Sequence, residues 1–150
     1  MKNNKVNEIK ISYRNNLNLS ESPTIIGTES AADLLFETWD KDTIALCESF
    51  KVILLNRANK VKGLYLLSVG GINGTLVDIR LLFATILKSL SVSIILAHNH
   101  PSGNLHPSGA DLNLTDSITK AAKLFGISVL DHIIITPNGE YYSFSENGKL

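Results

Sequence analysis

The strongest constraint in the chain is an abrupt change of character. Four apolar residues in a row, Ile94-Ile95-Leu96-Ala97, give way to the polar, proline- and glycine-punctuated segment His98 to Asp111. A strand exposed on one face alternates apolar and polar side chains, whereas an unbroken apolar run fits a strand covered on both faces. The run therefore predicts a central strand, Val92 to His98, with the polar segment emerging at its end. If the chain stays extended through His98 and His100, those side chains project the same way, because residues two apart share a strand face. Asp111 can return from the start of the following helix to add an oxygen ligand beside the two imidazoles. Two histidines and a carboxylate can hold a tetrahedral Zn2+ ion with one position left for water, the arrangement of a catalytic zinc site.

Around that strand the periodicities predict an α/β fold, a mixed β-sheet flanked by helices. Val6 to Tyr13 alternates imperfectly and reads as an edge strand, followed by a polar loop from Asn15 to Pro23. Ser30 can cap a helix over Ala31 to Trp39, whose stripe Ala32, Leu35, Phe36 and Trp39 would lie on the sheet. Glu48 to Leu55 and Val61 to Ser68 read as a hairpin joined by Asn56-Arg57-Ala58-Asn59. Gly70-Gly71 and Asn73-Gly74 break the chain. Asp78 then caps a helix running to about Ser89, with Leu82, Ile86 and Leu90 inward. After the polar segment, Ala110 to Phe125 carries Leu114, Ile118, Ala121 and Phe125 on one helical stripe, with Gly126 as C-cap. Val129 to Ile135, the turn Asn138-Gly139 and Tyr141 to Phe144 make a second hairpin, and Ser145 to Leu150 a tail.

Length and charge bound the function. The chain has 150 residues, enough for one core that buries roughly 68–70% of the unfolded surface. One domain over 1–150 is expected, with an N-terminal strand and loop at 1–27, a core at 28–145 and a tail at 146–150. Its 14 basic and 14 acidic residues cancel, and neither sign forms a block, so the footprint of a nucleic-acid-binding domain is missing. The single Cys47 can form no internal disulfide. Neither a signal peptide nor a membrane span is visible, and a cytoplasmic setting is expected. The zinc nucleobase deaminases are excluded, because their H-x-E and P-C-x-x-C signatures are missing.

Each candidate also has a plainer reading. Ser108-Gly109-Ala110-Asp111 has the form of a capping box before a helix, in which Ser108 bonds the amide of Asp111 and the carboxylate reaches back. A histidine at a strand end can be an ordinary hydrogen-bonded loop residue. The complete pattern is longer than either. His98-x-His100-Pro101, six residues, Ser108, two residues and Asp111 resembles the JAMM (MPN+) metalloprotease motif at every specified position. The resemblance implies His98, His100 and Asp111 as zinc ligands and Ser108 as a stabiliser of the oxyanion. It also implies an upstream glutamate that orients and deprotonates the water. Glu48 fits that place at the start of its strand, while Glu29, Glu37 and Asp78 are carboxylates the sequence leaves open for the same role.

A narrower likeness covers roughly residues 28 to 145. Glu48-x-Phe50, Ala97 to Gly103, Pro107-Ser108, Asp111, Leu130-Asp131-His132 and Tyr142-Ser143-Phe144 are similar to the JAMM-type domain of RadC-family proteins. Asn99 carries weight here, since deubiquitinase members usually have Ser or Thr between the histidines and RadC-like members Asn. The family implies a JAMM/MPN-like, cytidine-deaminase-like layered architecture. Its full-length members usually add an N-terminal helix-hairpin-helix region. That region is not expected in the residues ahead of the core, which puts in doubt the DNA-binding role attached to it.

Four further features are open to two readings. His106 is a stand-in ligand or a loop residue, and His132 a support for the site or a sheet-edge residue. Cys47 should face away from Glu48 if the strand begins there, and is then a small core residue or a surface one. Gly70-Gly71 either borders a substrate groove or simply turns. The expected function is a zinc-dependent hydrolase, a peptidase or isopeptidase acting on a peptide or protein. The alternative is a non-catalytic DNA-repair or mobile-element accessory module, with a metal-assisted nuclease as a third reading.

Overall fold

The computed structural model describes residues 5–71 and 75–150. The elements run α1 (Thr28–Thr38), β1 (Ser49–Leu55), β2 (Val61–Val69), α2 (Ile79–Lys88), β3 (Ser93–Asn99), α3 (Gly109–Leu124), β4 (Ser128–Ile135) and β5 (Tyr141–Ser143). The strands form one mixed sheet in the order β2-β1-β3-β4-β5. Only the β3–β4 pair is parallel, as expected of two strands joined by a helical crossover.

Every residue of β3 is buried, which is why its sequence does not alternate. The two faces of the sheet carry separate cores. Ile53, Leu55, Ile95, Ala97, Ile133 and Ile135 pack beneath Ala31, Ala32, Leu35 and Trp39 on the α1 side. Phe50, Val52, Leu54, Ile94 and Leu96 pack beneath Leu82, Phe83 and Ile86 of α2 and Ile118 and Ala122 of α3. Even-numbered residues of β1 and β3 therefore face α2 and α3. This parity decides where the polar residues beyond the strand ends can meet.

Local chemistry fixes the connections. Asn56 Oδ1 accepts from Ala58 N and Lys60 N and shapes the β1–β2 turn, in which Asn59 adopts a positive φ of 55°. Asp78 caps α2 by accepting from Arg80 N and Leu81 N. Gly126, at φ 66°, closes α3: its N–H bonds Lys123 O, and that of Ile127 bonds Ala122 O. A buried carboxylate, Asp131, accepts from Thr28 Oγ1, Ser143 Oγ, His132 N and Ser145 N. It ties the start of α1 to β5 and to the turn that follows, so the first helix and the last strand share one anchor.

Several expectations are corrected. Val6 to Tyr13 forms no strand; Val6, Ile9 and Ile11 are more than four-fifths exposed, because no strand among the described residues pairs with the segment and alternation alone supplies none. The chain first bridges to the sheet region at Thr24↔Lys60. Ser30 is not the N-cap of α1. The helix starts at Thr28 after Gly27, and Ser30 Oγ instead accepts from Ile26 N and donates to Gly27 O. Leu90 faces solvent rather than the core: α2 ends before it, and Leu90 takes the left-handed φ of 54° that turns the chain toward β3. Phe125, at the C-cap of α3, is likewise exposed. Asn73-Gly74 lies outside the described residues.

Candidate metal centre

The register of the sheet builds the site. Phe50 pairs with His98 across the antiparallel β1–β3 ladder, so continuing two residues further brings Glu48 opposite His100. Glu48 immediately precedes β1 instead of opening it, yet its main chain still follows the hairpin, with Gly70 N donating to Glu48 O at 2.7 Å. His98 and His100 have even parity and face α3, the helix whose first turn carries Asp111. One ligand-type atom from each of Glu48, His98, His100 and Asp111 lies within 4.8 Å of all the others.

The distances suit a metal ion. His98 Nε2 and His100 Nε2 are 3.0 Å apart. Asp111 places one oxygen 3.4 Å from His98 Nε2 and the other 3.7 Å from His100 Nε2. Ligands about 2.0–2.2 Å from a tetrahedral zinc stand about 3.3–3.5 Å from one another, and the observed separations bracket that value. His100 Nδ1 donates to Asn104 O at 2.6 Å, which leaves its Nε2 bare toward the centre. Two imidazole nitrogens and two carboxylates around one point form a donor set that could hold a cation.

The electrostatics agree. Burial would raise the Asp111 carboxyl, but the His100 and His98 rings and the Ser108 amide outweigh it and hold the group well below the usual carboxylate range. Burial lowers the pKa of His100, and Asp111, Asn104 O and Glu48 together more than reverse this, so that it is raised. Both shifts express the attraction between the Asp111 carboxylate and the imidazole rings it faces. His132 is the opposite case: burial, with the field of His98, pushes its pKa well below the usual histidine value.

The capping box forms, and it leaves the Asp111 carboxylate within the cluster. Ser108 Oγ accepts from Asp111 N at 3.1 Å, and Asp111 Oδ2 accepts from Ser108 N at 2.7 Å. The cap holds the carboxylate in the orientation that faces the histidines. Ser108 spends a lone pair on it, and among the described residues its O–H has no acceptor.

Of the other candidates, His132 is no sheet-edge residue. It is fully buried on β4, between β3 and β5, with Nε2 2.8 Å from His98 Nδ1. His106 is exposed in the loop and lies outside the cluster. Glu29, Glu37 and Asp78 also lie outside it. Half-buried Cys47 lines a cleft with Trp39, Ser49 and Lys51, on the α1 face and away from the cluster. Gly70 and Gly71 pair with the main chain of Glu48 and so border the site. Asn99 does more than the sequence disclosed. Its side chain, completely buried, donates to Ile44 O at 2.7 Å and Cys47 O at 2.9 Å and accepts from Ser49 N at 2.7 Å. It stitches the segment carrying Glu48 to the strand carrying His98. A polar residue between two histidines was the available signal.

The comparison with known families decides the kinship: a family model described as the RadC-like JAB domain matches residues 25–149. The chain belongs to the RadC-like JAB domain family. A UPF0758 protein of Flavobacterium johnsoniae is 48% identical over 101 residues, 67% of this chain and 44% of that protein. One from Porphyromonas gingivalis is 44% identical over 103 residues, 69% of this chain and 45% of the relative. One from Clostridium tetani is 42% identical over 135 residues, 87% of this chain and 55% of the relative. This RadC-like chain thus spans about half the length of the curated relatives it matches. No helix among the described residues is long and apolar enough to cross a membrane.

Proposed function

We propose that this RadC-like domain is a zinc-dependent hydrolase that cleaves amide bonds, as a peptidase or isopeptidase. The observation that carries the reading is the convergence of Glu48, His98, His100 and Asp111 within 4.8 Å. His98, His100 and Asp111 would hold the ion, since an N/O donor set of this size suits Zn2+. When bound, the metal supplies Lewis acidity, polarising a carbonyl and making water a nucleophile at neutral pH.

The chain's own residues do the rest. Glu48, with a half-buried carboxylate at the rim of the cluster, takes the proton of the attacking water and returns it to the departing amine. A positioned acid–base group of this kind contributes about 10²–10⁴-fold. Ser108 keeps its O–H available and donates it to the carbonyl oxygen as negative charge develops there. A peptide or protein is the proposed substrate, because a chain of zero net charge offers no footprint for a phosphate backbone. An unpaired Cys47 thiol suits a reducing, cytosolic setting.

Elemental analysis of the purified protein, combined with cleavage of a peptide library with and without chelator, tests the reading. Bound zinc and chelator-sensitive cleavage are expected. A protein that carries no metal at neutral pH and takes up none on titration overturns it.

A further inference from the structure

A histidine binds a metal only through a nitrogen without a proton, so a ligand imidazole must carry its proton on the other nitrogen. For His100 the carbonyl of Asn104 ensures this directly. For His98 the partner of Nδ1 is a second imidazole, His132 Nε2 at 2.8 Å, and an imidazole nitrogen can either donate or accept. The contacts of His98 alone leave its tautomer open.

The choice is made two hydrogen bonds away. Thr115 Oγ1 lies 2.7 Å from the main-chain carbonyl of Asp111 and 2.6 Å from His132 Nδ1. A hydroxyl has one proton and a carbonyl can only accept, so Thr115 donates to Asp111 O and offers His132 a lone pair. His132 Nδ1 must then carry a proton. Its ring is fully buried, and among the described residues no carboxylate bonds it, so it stays neutral and its Nε2 is bare. That bare nitrogen accepts from His98 Nδ1–H. His98 Nε2 is left without a proton, facing His100 and Asp111.

We propose that Thr115 and His132 form a tautomer relay that commits His98 to ligation through Nε2. The inference rests on the reading of the cluster as a metal centre. Both are positioning residues. The relay starts at the backbone of Asp111 and ends at the ring of His98, two residues whose side chains meet in the cluster. Phe144 stacks on His132, with ring centres 4.4 Å apart, and Phe50 meets it edge-on at 5.5 Å, so the ring is held in the plane the relay needs.

Nitrogen NMR of the histidine rings in the metal-free wild-type protein reads the tautomer, and competition titration with a chromophoric chelator reads zinc affinity. His98 is expected to be protonated at Nδ1. Thr115→Val, similar in shape but without the hydroxyl, should lower zinc affinity by about 10–100-fold, the usual cost of losing an outer partner of a ligand histidine. It should also raise the fraction of His98 protonated at Nε2, and Thr115→Ser should reverse both changes. A bare Nδ1 on His98 in the wild-type protein overturns the relay, whether or not any variant folds. A folded Thr115→Val protein with wild-type zinc affinity and an unchanged tautomer also overturns it. If the wild-type protein bound no zinc while His98 kept its proton on Nδ1, the relay would stand and the metal-centre reading would fall.

Discussion

The two sides of the cluster are held by different means. On one side, the side chains themselves are pinned: His98 by the His132 ring, His100 by the main-chain carbonyl of Asn104, and Asp111 by the capping box with Ser108. On the other side, Glu48 is placed through its main chain, by Gly70 and by the anchoring of its neighbours Cys47 and Ser49 to Asn99. Its carboxylate accepts no hydrogen bond from the described residues. The difference suits two jobs, since a metal ligand must hold still, whereas a proton carrier must be free to take up a proton and give it away. If that division is real, changes on the two sides should separate metal affinity from turnover.

The largest effect should come from His98→Ala. It removes a ligand and leaves the buried Nε2 of His132 without its partner. We expect zinc affinity to fall by more than the ~10–100-fold that loss of an outer partner costs, and cleavage to vanish with it. Isothermal titration with zinc, beside the cleavage assay, reads both. Glu48→Gln should break the pair the other way, with zinc affinity kept and turnover reduced about 10²–10⁴-fold. A Glu48→Gln protein that still turns over would remove Glu48 from the role of base, and one that lost its zinc would move Glu48 to the ligand side.

Ser108 stands on the boundary, because it caps α3 and also carries the hydroxyl offered to the oxyanion. Ser108→Ala loses both functions, at about 1 kcal/mol for the cap, whereas glycine at an N-cap costs only a few tenths. If the hydroxyl acts on substrate, both variants lose turnover alike, by about 10²–10³-fold for one oxyanion donor. If only the cap matters, Ser108→Gly stays close to wild type. Thermal melts measured beside the rates separate the two contributions.

What the sequence disclosed follows the same division. The meeting of His98, His100 and Asp111 was legible because they fall within one short segment after an apolar strand, at a spacing few other patterns share. The strands and helices around it were legible because each buries a stripe of regular period. Glu48 was reached only through a family likeness, since its partners come from sheet register, which no local pattern encodes. The relay through Thr115 was invisible for the same reason: it joins residues on α3, β4 and β3. The N-terminal alternation misled, because period alone does not supply a partner strand.

Asn99 tests whether the two sides are mechanically joined. It lies between the two histidines on β3, and its amide holds Ile44 O, Cys47 O and Ser49 N on the far side. Asn99→Ala strips those three groups of partners in a buried place, where each unsatisfied group costs ~1–3 kcal/mol, so a loss of about 3 kcal/mol or more in stability is expected. His98 and His100 keep their own partners, so zinc affinity should stay near wild type. Turnover should fall about tenfold as Glu48 loses its fixed approach, a ΔΔG‡ of about 1.4 kcal/mol. The informative outcome is the ratio of the two losses in the folded variant. A loss of zinc affinity as large as the loss of turnover would show one rigid unit instead of a fixed ligand half and a separately tethered base. Full turnover would show that Glu48 finds its place from β1 and β2 alone.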